Sequence, residues 1–256
     1  MNENETATPT AAVALVTGAN KGIGFEVARQ LAERGLTVVL GARDAERGRA
    51  AAELLVAAGA TAYPVHLDVT EPATVTRAAR WLEERFGRLD VLVNNAGAAE
   101  DPRHRPSTAD LDLVREVFET NVFGVLTVTN AVLPLLHRSA APRIVNVSSG
   151  MGSVTAQSDP HGYLSKVPAV AAYPTSKSAL NALTVQYAKE LRQDGFLVNA
   201  ASPGPCDTDL TKELQRAGFP MSRTAADGAA VVVKLATLDA DGPTGGFFDE
   251  EGPVAW

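Results

Sequence analysis

Short β-rich apolar segments alternate along the chain with longer segments in which apolar residues recur at helical spacing. This alternation is typical of βαβ units, in which parallel strands are joined by helices that cover both faces of the sheet. The predicted strands are Val13–Val16, Thr37–Leu40, Ala62–Leu67, Val91–Val93, Ile144–Val147 and Leu197–Ala201. The chain is therefore predicted to form a single doubly wound α/β domain.

Helices are predicted in the intervals between the strands. Asp44 and Gly59 give one of them an N-cap and a stop, and Gly35 ends the first helix. The predicted helices are Ile23–Arg34, Ala45–Ala58, Ala73–Phe86, about Leu111–Leu136 and about Thr175–Arg192. Placed on both faces of a parallel sheet, they complete a Rossmann-type architecture.

Three segments do not show either periodicity. Residues 1–10 are polar and are expected to form a flexible tail, which leaves residues 11–256 as one domain. Residues 150–172 are interpreted as an insertion or lid, and residues 203–224 as a substrate loop, both near the carboxyl edge of the sheet. Loops at that edge usually carry substrate contacts.

Composition narrows the function. The 256 residues carry a net charge of -7, so no overall field attracts nucleic acid or an anionic membrane, and neither partner is expected. The single cysteine, Cys206, excludes an intrachain disulfide and a multi-cysteine metal site, and no metal is predicted. Without a signal segment or a long apolar run, a soluble cytoplasmic protein is expected.

A glycine-rich turn, Thr17-Gly-Ala-Asn-Lys-Gly-Ile-Gly24, joins the first strand to the first helix. Gly18, Gly22 and Gly24 allow close backbone approach, and the following helix offers free amides to a pyrophosphate. Three residues separate the first two glycines, unlike the spacing in GxGxxG. The turn indicates a nucleotide site, with a purely structural turn as the alternative.

The end of the second strand predicts which nucleotide binds. It reads Leu40-Gly-Ala-Arg43 and lacks the carboxylate that often binds the ribose hydroxyls of NAD. Arg43 and Lys21 can instead pair with a 2′-phosphate, with Arg47 as a weaker third candidate. NADP(H) is therefore the predicted cofactor. In the alternative interpretation these residues are ordinary solvated cations, and Asp44 forms an ion pair with Arg43.

Tyr173 and Lys177 lie four residues apart, downstream of Ser149 at the end of an apolar run. One helical turn places them on one face, where the ammonium can favour the ionised phenol. A charge about 4 Å away is worth roughly 4 kcal/mol at an effective dielectric of 20, or about three pKa units before desolvation is subtracted. The spacing indicates acid/base chemistry.

These motifs, in this order and over nearly the whole chain, resemble the short-chain dehydrogenase/reductase family. The resemblance rests on TGxxxGIG, Asn94-Asn-Ala-Gly97, Asn121 in the long helix, the serine, YxxxK and Pro203-Gly204. It implies hydride transfer between a nicotinamide and a carbonyl or alcohol. Tyr173 would exchange the proton, Ser149 would hydrogen-bond the substrate oxygen, Lys177 would also hold the nicotinamide ribose, and Asn121 would keep a relay water in place.

The resemblance extends the cofactor site beyond the glycine turn. Asp68 resembles the acidic residue that meets the adenine ring, and Thr208 a threonine that contacts the carboxamide, although the intervening Pro205-Cys206 is unusual. Asn94 is interpreted as mainly structural. The predicted cofactor-binding residues are Gly18, Asn20, Lys21, Gly22, Ile23, Gly24, Arg43, Asp68, Val69, Asn95, Ala96, Gly97, Tyr173, Lys177, Pro203, Gly204 and Thr208.

Several assignments keep an alternative. Ser148 is a minor rival to Ser149, and Asn121 could be an inward-facing polar residue satisfied by backbone. Asp68 could instead cap a helix. Tyr163 lies nearer the usual distance from the serine than Tyr173 does, but its lysine follows three residues later rather than four.

The carbonyl-reductase-like branch of the family is the nearest resemblance, through the arginine after strand two, the insertion before the tyrosine and the sequence Ala179–Thr184. It implies an NADPH-dependent reductase of ketones, aldehydes or quinones. Alcohol oxidation or a biosynthetic ketoreductase would use the same residues, and a non-catalytic NADP-binding sensor is the alternative of another class. A homo-oligomer and a monomer both stay open, because residues 150–172 can obstruct an interface.

Overall fold

Seven strands form one parallel sheet in the computed structural model, which describes residues 11–100 and 103–256. The strand order is β3-β2-β1-β4-β5-β6-β7, so the chain winds outward from β1 first to one edge and then to the other. The strands are β1 (Val13–Thr17), β2 (Thr37–Ala42), β3 (Ala62–His66), β4 (Val91–Asn94), β5 (Arg143–Val147), β6 (Leu197–Ala201) and β7 (Phe247–Phe248). The tail predicted over residues 1–10 lies outside the described residues.

Helices cover both faces of the sheet. The nine described α-helices are α1 (Gly22–Glu33), α2 (Ala45–Ala57), α3 (Pro72–Phe86), α4 (Leu111–Phe118), α5 (Gly124–Leu136), α6 (Val154–Ser158), α7 (Tyr173–Leu191), α8 (Lys212–Arg216) and α9 (Ala225–Ala236). One core cluster packs α1, α2 and α9 against the sheet, and a second packs α3, α5 and α7 against the opposite face. The predicted doubly wound fold is confirmed.

Burial explains the composition of the strands. β1, β2, β5 and β6 are buried along their whole length, as expected for parallel strands covered on both faces. β3 lies at the edge of the sheet, and after the buried Ala62 it alternates between half-buried and exposed positions. It also contains Pro64, which an edge strand tolerates because one side needs no backbone donor.

The helix predicted over Leu111–Leu136 is interrupted. A π-helical turn, Glu119–Phe123, separates α4 from α5 and carries Asn121, whose side chain is fully buried. By length and composition Leu111–Leu136 could cross a membrane, but half of its most apolar window is buried inside the protein. We therefore interpret it as a core helix that covers one face of the sheet.

The two segments predicted to be irregular contain short helices. Residues 150–172 include α6 and two 3-10 turns, Gly150–Gly152 and Tyr163–Lys166. Residues 203–224 include α8 and one 3-10 turn, Asp209–Thr211. Helix α7 begins at Tyr173, two residues before the predicted start, and the two-residue strand β7 is too short to give a periodic signal.

Candidate active site

The glycine-rich turn packs directly against the loop that follows β4. Gly18 has φ +63°, and a Cβ atom placed there would lie 3.0 Å from the Cα of Ala96. A Cβ atom at Gly24 would overlap the side-chain amide of Asn95 and lie 2.6 Å from the carbonyl oxygen of Gly18. Asn95 Nδ2 donates to the carbonyl oxygens of Thr17 and Gly18, at 2.9 and 3.2 Å. Close packing on the loop after β4 therefore requires glycine at positions 18 and 24.

The start of α1 is left open for an anion. Its N-cap residue, Lys21, makes no side-chain capping bond, and the first turn contains no acidic residue. Gly22 has φ +57° and faces Thr208, whose Cγ2 would lie 3.7 Å from a Cβ atom on the glycine. Ile23 packs against the core, so the amides of this turn are held in place at the cleft.

The predicted phosphate-binding cations differ in how they are engaged. Arg43 is exposed, and its guanidinium has no ion pair or hydrogen bond with any described residue. Asp44 does not occupy it, because the Asp44 carboxylate caps α2 and pairs with Arg47 Nε at 3.2 Å. Lys21 forms an ion pair with Asp209 across the cleft.

A shallow groove lies beside these cations. Its lining includes Asn20, Lys21 and Arg47, together with the apolar side chains of Phe25 and Leu54. Two of the three predicted phosphate ligands therefore share one groove next to the glycine turn. Such a rim of positive charge over apolar walls suits a phosphorylated ring system.

The acidic residue after β3 is held by its own turn. The Asp68 carboxylate accepts hydrogen bonds from the Thr70 amide and hydroxyl, at 3.0 and 2.8 Å. The N-cap of α3 is Glu71, so Asp68 does not cap that helix. Val69 packs on Gly124, where a Cβ atom would lie 2.7 Å from Val69 Cγ2, and this contact fixes the start of α5 beneath the cleft.

The Asn94-Asn-Ala-Gly97 segment joins the cofactor cleft to the sheet. Thr17 Oγ1 accepts from the amides of Asn95 and Ala96, at 2.9 and 3.0 Å. Asn94 is buried, and its Nδ2 donates to Asn146 Oδ1 at 2.9 Å on the neighbouring strand. The first asparagine therefore stabilises the sheet, while the rest of the segment braces the glycine turn.

Ser149, Tyr173 and Lys177 come together at the carboxyl end of β5. The Ser149 hydroxyl is hydrogen-bonded to the Tyr173 phenol. Lys177 lies one turn along α7 with its Nζ 5.7 Å from the centroid of the Tyr173 ring. Its ammonium donates to the carbonyl oxygen of Val147 at 2.8 Å. The structure thus gathers the three residues that the sequence separates by up to 28 positions.

Burial dominates the proton affinities in this cluster. It raises the pKa of Tyr173; the Ser149 hydrogen bond lowers that pKa, and the nearby Glu100 charge raises it further. Burial also lowers the pKa of Lys177 to about 8. The net lowering of the Tyr173 pKa expected from Lys177 is not found in this structure, because burial is the larger effect.

Asn121 sits in the π turn and ties two parts of the site together. Its Nδ2 donates to the carbonyl oxygen of Ala98 and to Ser176 Oγ, both at 2.9 Å, and its Oδ1 accepts from the Ala98 amide at 2.8 Å. One lone pair of Oδ1 remains beyond these bonds. A Cβ atom on Gly97 would lie 3.5 Å from Oδ1 and 3.8 Å from Lys177 Nζ, so the asparagine and the lysine face the same point.

The rival residues have other surroundings than Ser149 and Tyr173. Ser148 is buried, and its Oγ donates to Asn181 Oδ1 at 2.6 Å, which directs it into α7. Tyr163 is 71% exposed on its 3-10 turn, and Lys166 is exposed as well. The Tyr163 hydroxyl lies close to Gly150, the residue after Ser149, where a Cβ atom would overlap it.

Residues 203–224 close the other side of the cleft. Gly204 has φ +79°, and Pro203 accepts a hydrogen bond from Cys206 Sγ at 3.4 Å. Cys206 is buried against Gly228, and burial raises the pKa of its thiol, so it is a packing residue. Thr208 caps the following turn in a reciprocal arrangement with Thr211 and faces the glycine turn.

Sequence reasoning missed Glu100. Its carboxylate accepts the amide of Ala172 at 2.6 Å and the amide of Tyr173 at 3.0 and 2.8 Å. These two amides lie 72 and 73 residues from Glu100 along the chain. Only the unusual start of α7, with an apolar N-cap and a proline in its first turn, hints at a distant capping group. Among the described residues, the structure has no group of three or more histidine, cysteine or acidic side chains arranged to hold a metal.

Comparisons with known proteins agree with this geometry. A family model described as short chain dehydrogenase matches residues 12–218. Salutaridine reductase from Papaver bracteatum is 35% identical, with 92% of this chain and 93% of that protein covered. (-)-Isopiperitenone reductase from Mentha piperita is 36% identical, with 94% and 97% covered.

A solved structure gives the same result. The NADPH-bound carbonyl reductase from chicken fatty liver superposes with a TM-score of 0.81 at 28% identity, covering 96% of this chain and 99% of that one. A seven-stranded parallel sheet, a glycine turn braced by the loop after β4, and a serine, tyrosine and lysine at the end of β5 occur together here. The chain therefore belongs to the short-chain dehydrogenase/reductase family and is an oxidoreductase of that family.

Proposed function

We propose that the protein is an NADPH-dependent reductase that transfers a hydride to the carbonyl of a ketone, aldehyde or quinone. The observation that carries this proposal is the cluster at the carboxyl end of β5, where the Tyr173 phenol is hydrogen-bonded to Ser149 and the Lys177 ammonium lies 5.7 Å from the centre of the phenol ring. A protonated phenol is the form that reduction requires, because the product alkoxide must receive a proton. The reverse reaction, alcohol oxidation, would need the same phenol ionised.

The cleft fits a dinucleotide phosphate. Gly18 and Gly24 let the glycine turn pack closely on the loop after β4, and the first turn of α1 offers uncapped amides to a pyrophosphate. Arg43 is available for a bidentate contact with a 2′-phosphate, and Lys21 and Arg47 line the adjoining groove. The relatives support the same choice, since one solved structure is of an NADPH-bound carbonyl reductase.

The residues of this chain then have distinct roles. When bound, NADPH supplies the hydride to the carbonyl carbon. Ser149 holds the carbonyl oxygen by a hydrogen bond, and Tyr173 donates its proton to that oxygen as charge develops there. The phenolate left on Tyr173 is reprotonated from solvent before the next turnover. The free lone pair of Asn121 Oδ1 can hold a water for that path.

The Lys177 ammonium has two roles in this proposal. Its ammonium is fixed by the carbonyl oxygen of Val147 and faces Gly97 at the cofactor side of the cleft, where it can bind the hydroxyls of a nicotinamide ribose. The same charge lies 5.7 Å from the centre of the Tyr173 ring. It stabilises the phenolate once the proton has left, so its electrostatic contribution is realised during the reaction rather than before it.

The test follows oxidation of NADPH and NADH with a panel of activated ketones, aldehydes and quinones. The parent should turn over with NADPH, and Tyr173→Phe should lose activity by about 10²–10⁴-fold while still binding NADPH. Tyr163→Phe is the matched control, since it removes the hydroxyl of the rival tyrosine and should retain activity. A Tyr173→Phe variant with near-parent turnover would refute the proposed proton donor.

The same measurement separates the alternatives. Preferential oxidation of alcohols would assign the reverse reaction to the same residues. A protein that binds NADPH but turns over no member of the panel would favour a non-catalytic sensor, although such a sensor has no need of Asn121, Ser149, Tyr173 and Lys177 together. The proposal includes a small-molecule substrate and a cytoplasmic location. It is compatible with both a monomer and a homo-oligomer.

A further inference from the structure

The catalytic helix α7 begins without a cap of its own. Its N-cap residue, Ala172, has no side-chain acceptor, and Pro174 in the first turn has no backbone N–H. Two amides at this end, those of Ala172 and Tyr173, donate to the Glu100 carboxylate, at 2.6 to 3.0 Å. A residue from the loop after β4 therefore supplies the cap that the local sequence lacks.

This cap acts on the backbone of Tyr173 itself. The Tyr173 amide lies 3.0 and 2.8 Å from the two carboxylate oxygens, a fork that fixes both distance and direction. Two residues earlier in the same loop, Ala98 is tied through Asn121 to Ser176 on α7. The loop thus holds the first turn of the helix at two points, and Glu100 is the one that binds the backbone of Tyr173.

We propose that Glu100 is a positioning residue for Tyr173: its carboxylate holds the start of α7 in the orientation that aims the phenol at the substrate carbonyl. This inference rests on the proposed function. An anion also suits this position because the amino end of a helix carries a partial positive charge. Glu100 touches neither reacting atom and acts through Tyr173.

Charged groups face Tyr173 from two elements. Glu100 approaches from the loop after β4 and raises the pKa of the phenol, adding to the larger effect of burial. Lys177 approaches from the next turn of α7, with its ammonium bonded to Val147 rather than to the phenol. Ser149, at the end of β5, lowers the pKa through its hydrogen bond. Removing the Glu100 charge should therefore make Tyr173 more acidic.

The experiment compares Glu100→Gln, Glu100→Ala and Glu84→Gln with the parent. Glutamine keeps an oxygen that can accept the Ala172 and Tyr173 amides but removes the charge, whereas alanine removes both. Glu84→Gln removes one exposed charge on α3 and is the matched control. The readouts are the pH profile of kcat and kcat/KM for ketone reduction, and the thermal midpoint of unfolding of each variant.

We expect the alkaline limb of the profile to move to lower pH in Glu100→Gln, with kcat near that of the parent on the acid side of the limb. Glu100→Ala should show the same move and an additional loss of kcat on the order of tenfold, because the phenol is less well aimed. Glu84→Gln should leave the profile unchanged. A lower unfolding midpoint in the Glu100 variants with unchanged profile and kcat would reduce Glu100 to a structural cap and overturn the inference.

A second readout does not depend on turnover. The ultraviolet difference titration of the parent against Tyr173→Phe reports the ionisation of this one phenol, and the same pair in the Glu100→Gln background should titrate at lower pH. If the parent reduces no substrate, the proposed function fails while this titration still decides the role of Glu100. An unchanged titration in that background would refute the electrostatic part of the inference.

Discussion

Lys177 holds its ammonium group in the protein interior, with only 3% of the residue exposed. One carbonyl oxygen, that of Val147, accepts from it at 2.8 Å, and burial lowers its pKa from 10.5 to about 8. A shift of this size means that the charged form costs the folded protein about 3 kcal/mol relative to the unfolded chain. The buried charge of Lys177 therefore lowers the stability of the folded protein.

Lys177→Met should therefore stabilise the protein while abolishing activity. The gain at pH 7 should be about 2 kcal/mol, after subtracting about 1 kcal/mol for the lost hydrogen bond to Val147. Both folded and unfolded Lys177 are protonated below about pH 8, so the gain is full there and declines as pH rises towards 10.5, where the folded parent has already released the proton. Urea unfolding of the parent and the variant at pH 7 and pH 10 measures this gain in the free energy of unfolding.

The control for this prediction is Lys189→Met, an exposed lysine on the same helix, which should leave the free energy of unfolding almost unchanged. A Lys177→Met variant that is less stable than the parent at pH 7 would show that the ammonium contributes favourable contacts that outweigh its desolvation.

Arg43 should determine the preference for NADPH over NADH. Its guanidinium is exposed and unpaired among the described residues, so it can engage a 2′-phosphate without breaking an existing contact. Arg43→Ala should raise the Kd of NADPH by about ten- to a hundredfold, the worth of a charge-assisted contact, and leave the Kd of NADH nearly unchanged. Fluorescence titration with both nucleotides tests this, with exposed Arg77→Ala as control. Equal losses for the two nucleotides would contradict the assignment.

The types and spacing of the site residues could be inferred from sequence, but their proton affinities could not. A tyrosine and a lysine one turn apart predict proximity, which the structure shows. The sign of the effect on the phenol depends on how far both groups are desolvated, and that follows from the surrounding sheet and helices. Glu100 was missed for a related reason, since its partners lie 72 and 73 residues away.

The helix that carries Asn121 shows how an element can be predicted correctly in place and wrongly in form. Apolar periodicity predicts one helix over Leu111–Leu136, and the π turn at Glu119–Phe123 is invisible to it because the pattern continues on both sides. Such turns are common at functional sites, since the additional residue turns a side chain towards a neighbour. Here it turns Asn121 towards Ala98 and Ser176.

Gly124→Ala should be destabilising even though alanine is the better helix former. A Cβ atom there would lie 2.7 Å from Val69 Cγ2 and 3.1 Å from the carbonyl oxygen of Glu119, so the helix or the loop after β3 must shift. Overpacking of this kind costs about 1–3 kcal/mol, against about 1 kcal/mol gained in helix propensity. Thermal unfolding should show a lower midpoint for the variant.

The companion variant is Gly124→Ala with Val69→Ala, which removes the colliding methyl groups. The pair should be less destabilised than the sum of the two single variants, because each change relieves the other. Strict additivity would place the cost of Gly124→Ala somewhere other than the contact with Val69.

The order of the sheet brings distant segments to one edge. β1 and β4 are neighbours, so the glycine turn after β1 and the Asn94–Gly97 segment after β4 meet, and β5 and β6 bring Ser149 and Pro203 alongside. The first six strands and the main helices between them could be predicted from their apolar and helical periodicity, but α9 and β7 were not predicted. The contacts between the loops could not be predicted, because they join side chains that lie far apart in the sequence.

One such contact links the two sides of the cofactor cleft. Lys21, at the start of α1, pairs with Asp209, which lies 188 residues later and also pairs with Lys212. These hydrogen bonds and charges lower the pKa of Asp209 to about 2, so the carboxylate stays ionised at any working pH. A 2′-phosphate that recruits Lys21 must therefore compete with Asp209 for the same ammonium.

Asp209→Asn should tighten binding of NADPH and leave binding of NADH unchanged, because only the former needs Lys21 released. The pair is exposed to solvent, which limits the decrease in Kd to no more than about fivefold and makes it smaller at high salt. Glu213→Gln, which removes a charge from the same loop but pairs with Arg216, is the control. Weaker NADPH binding in Asp209→Asn would mean instead that the ion pair holds residues 203–224 over the bound nucleotide and assists the complex.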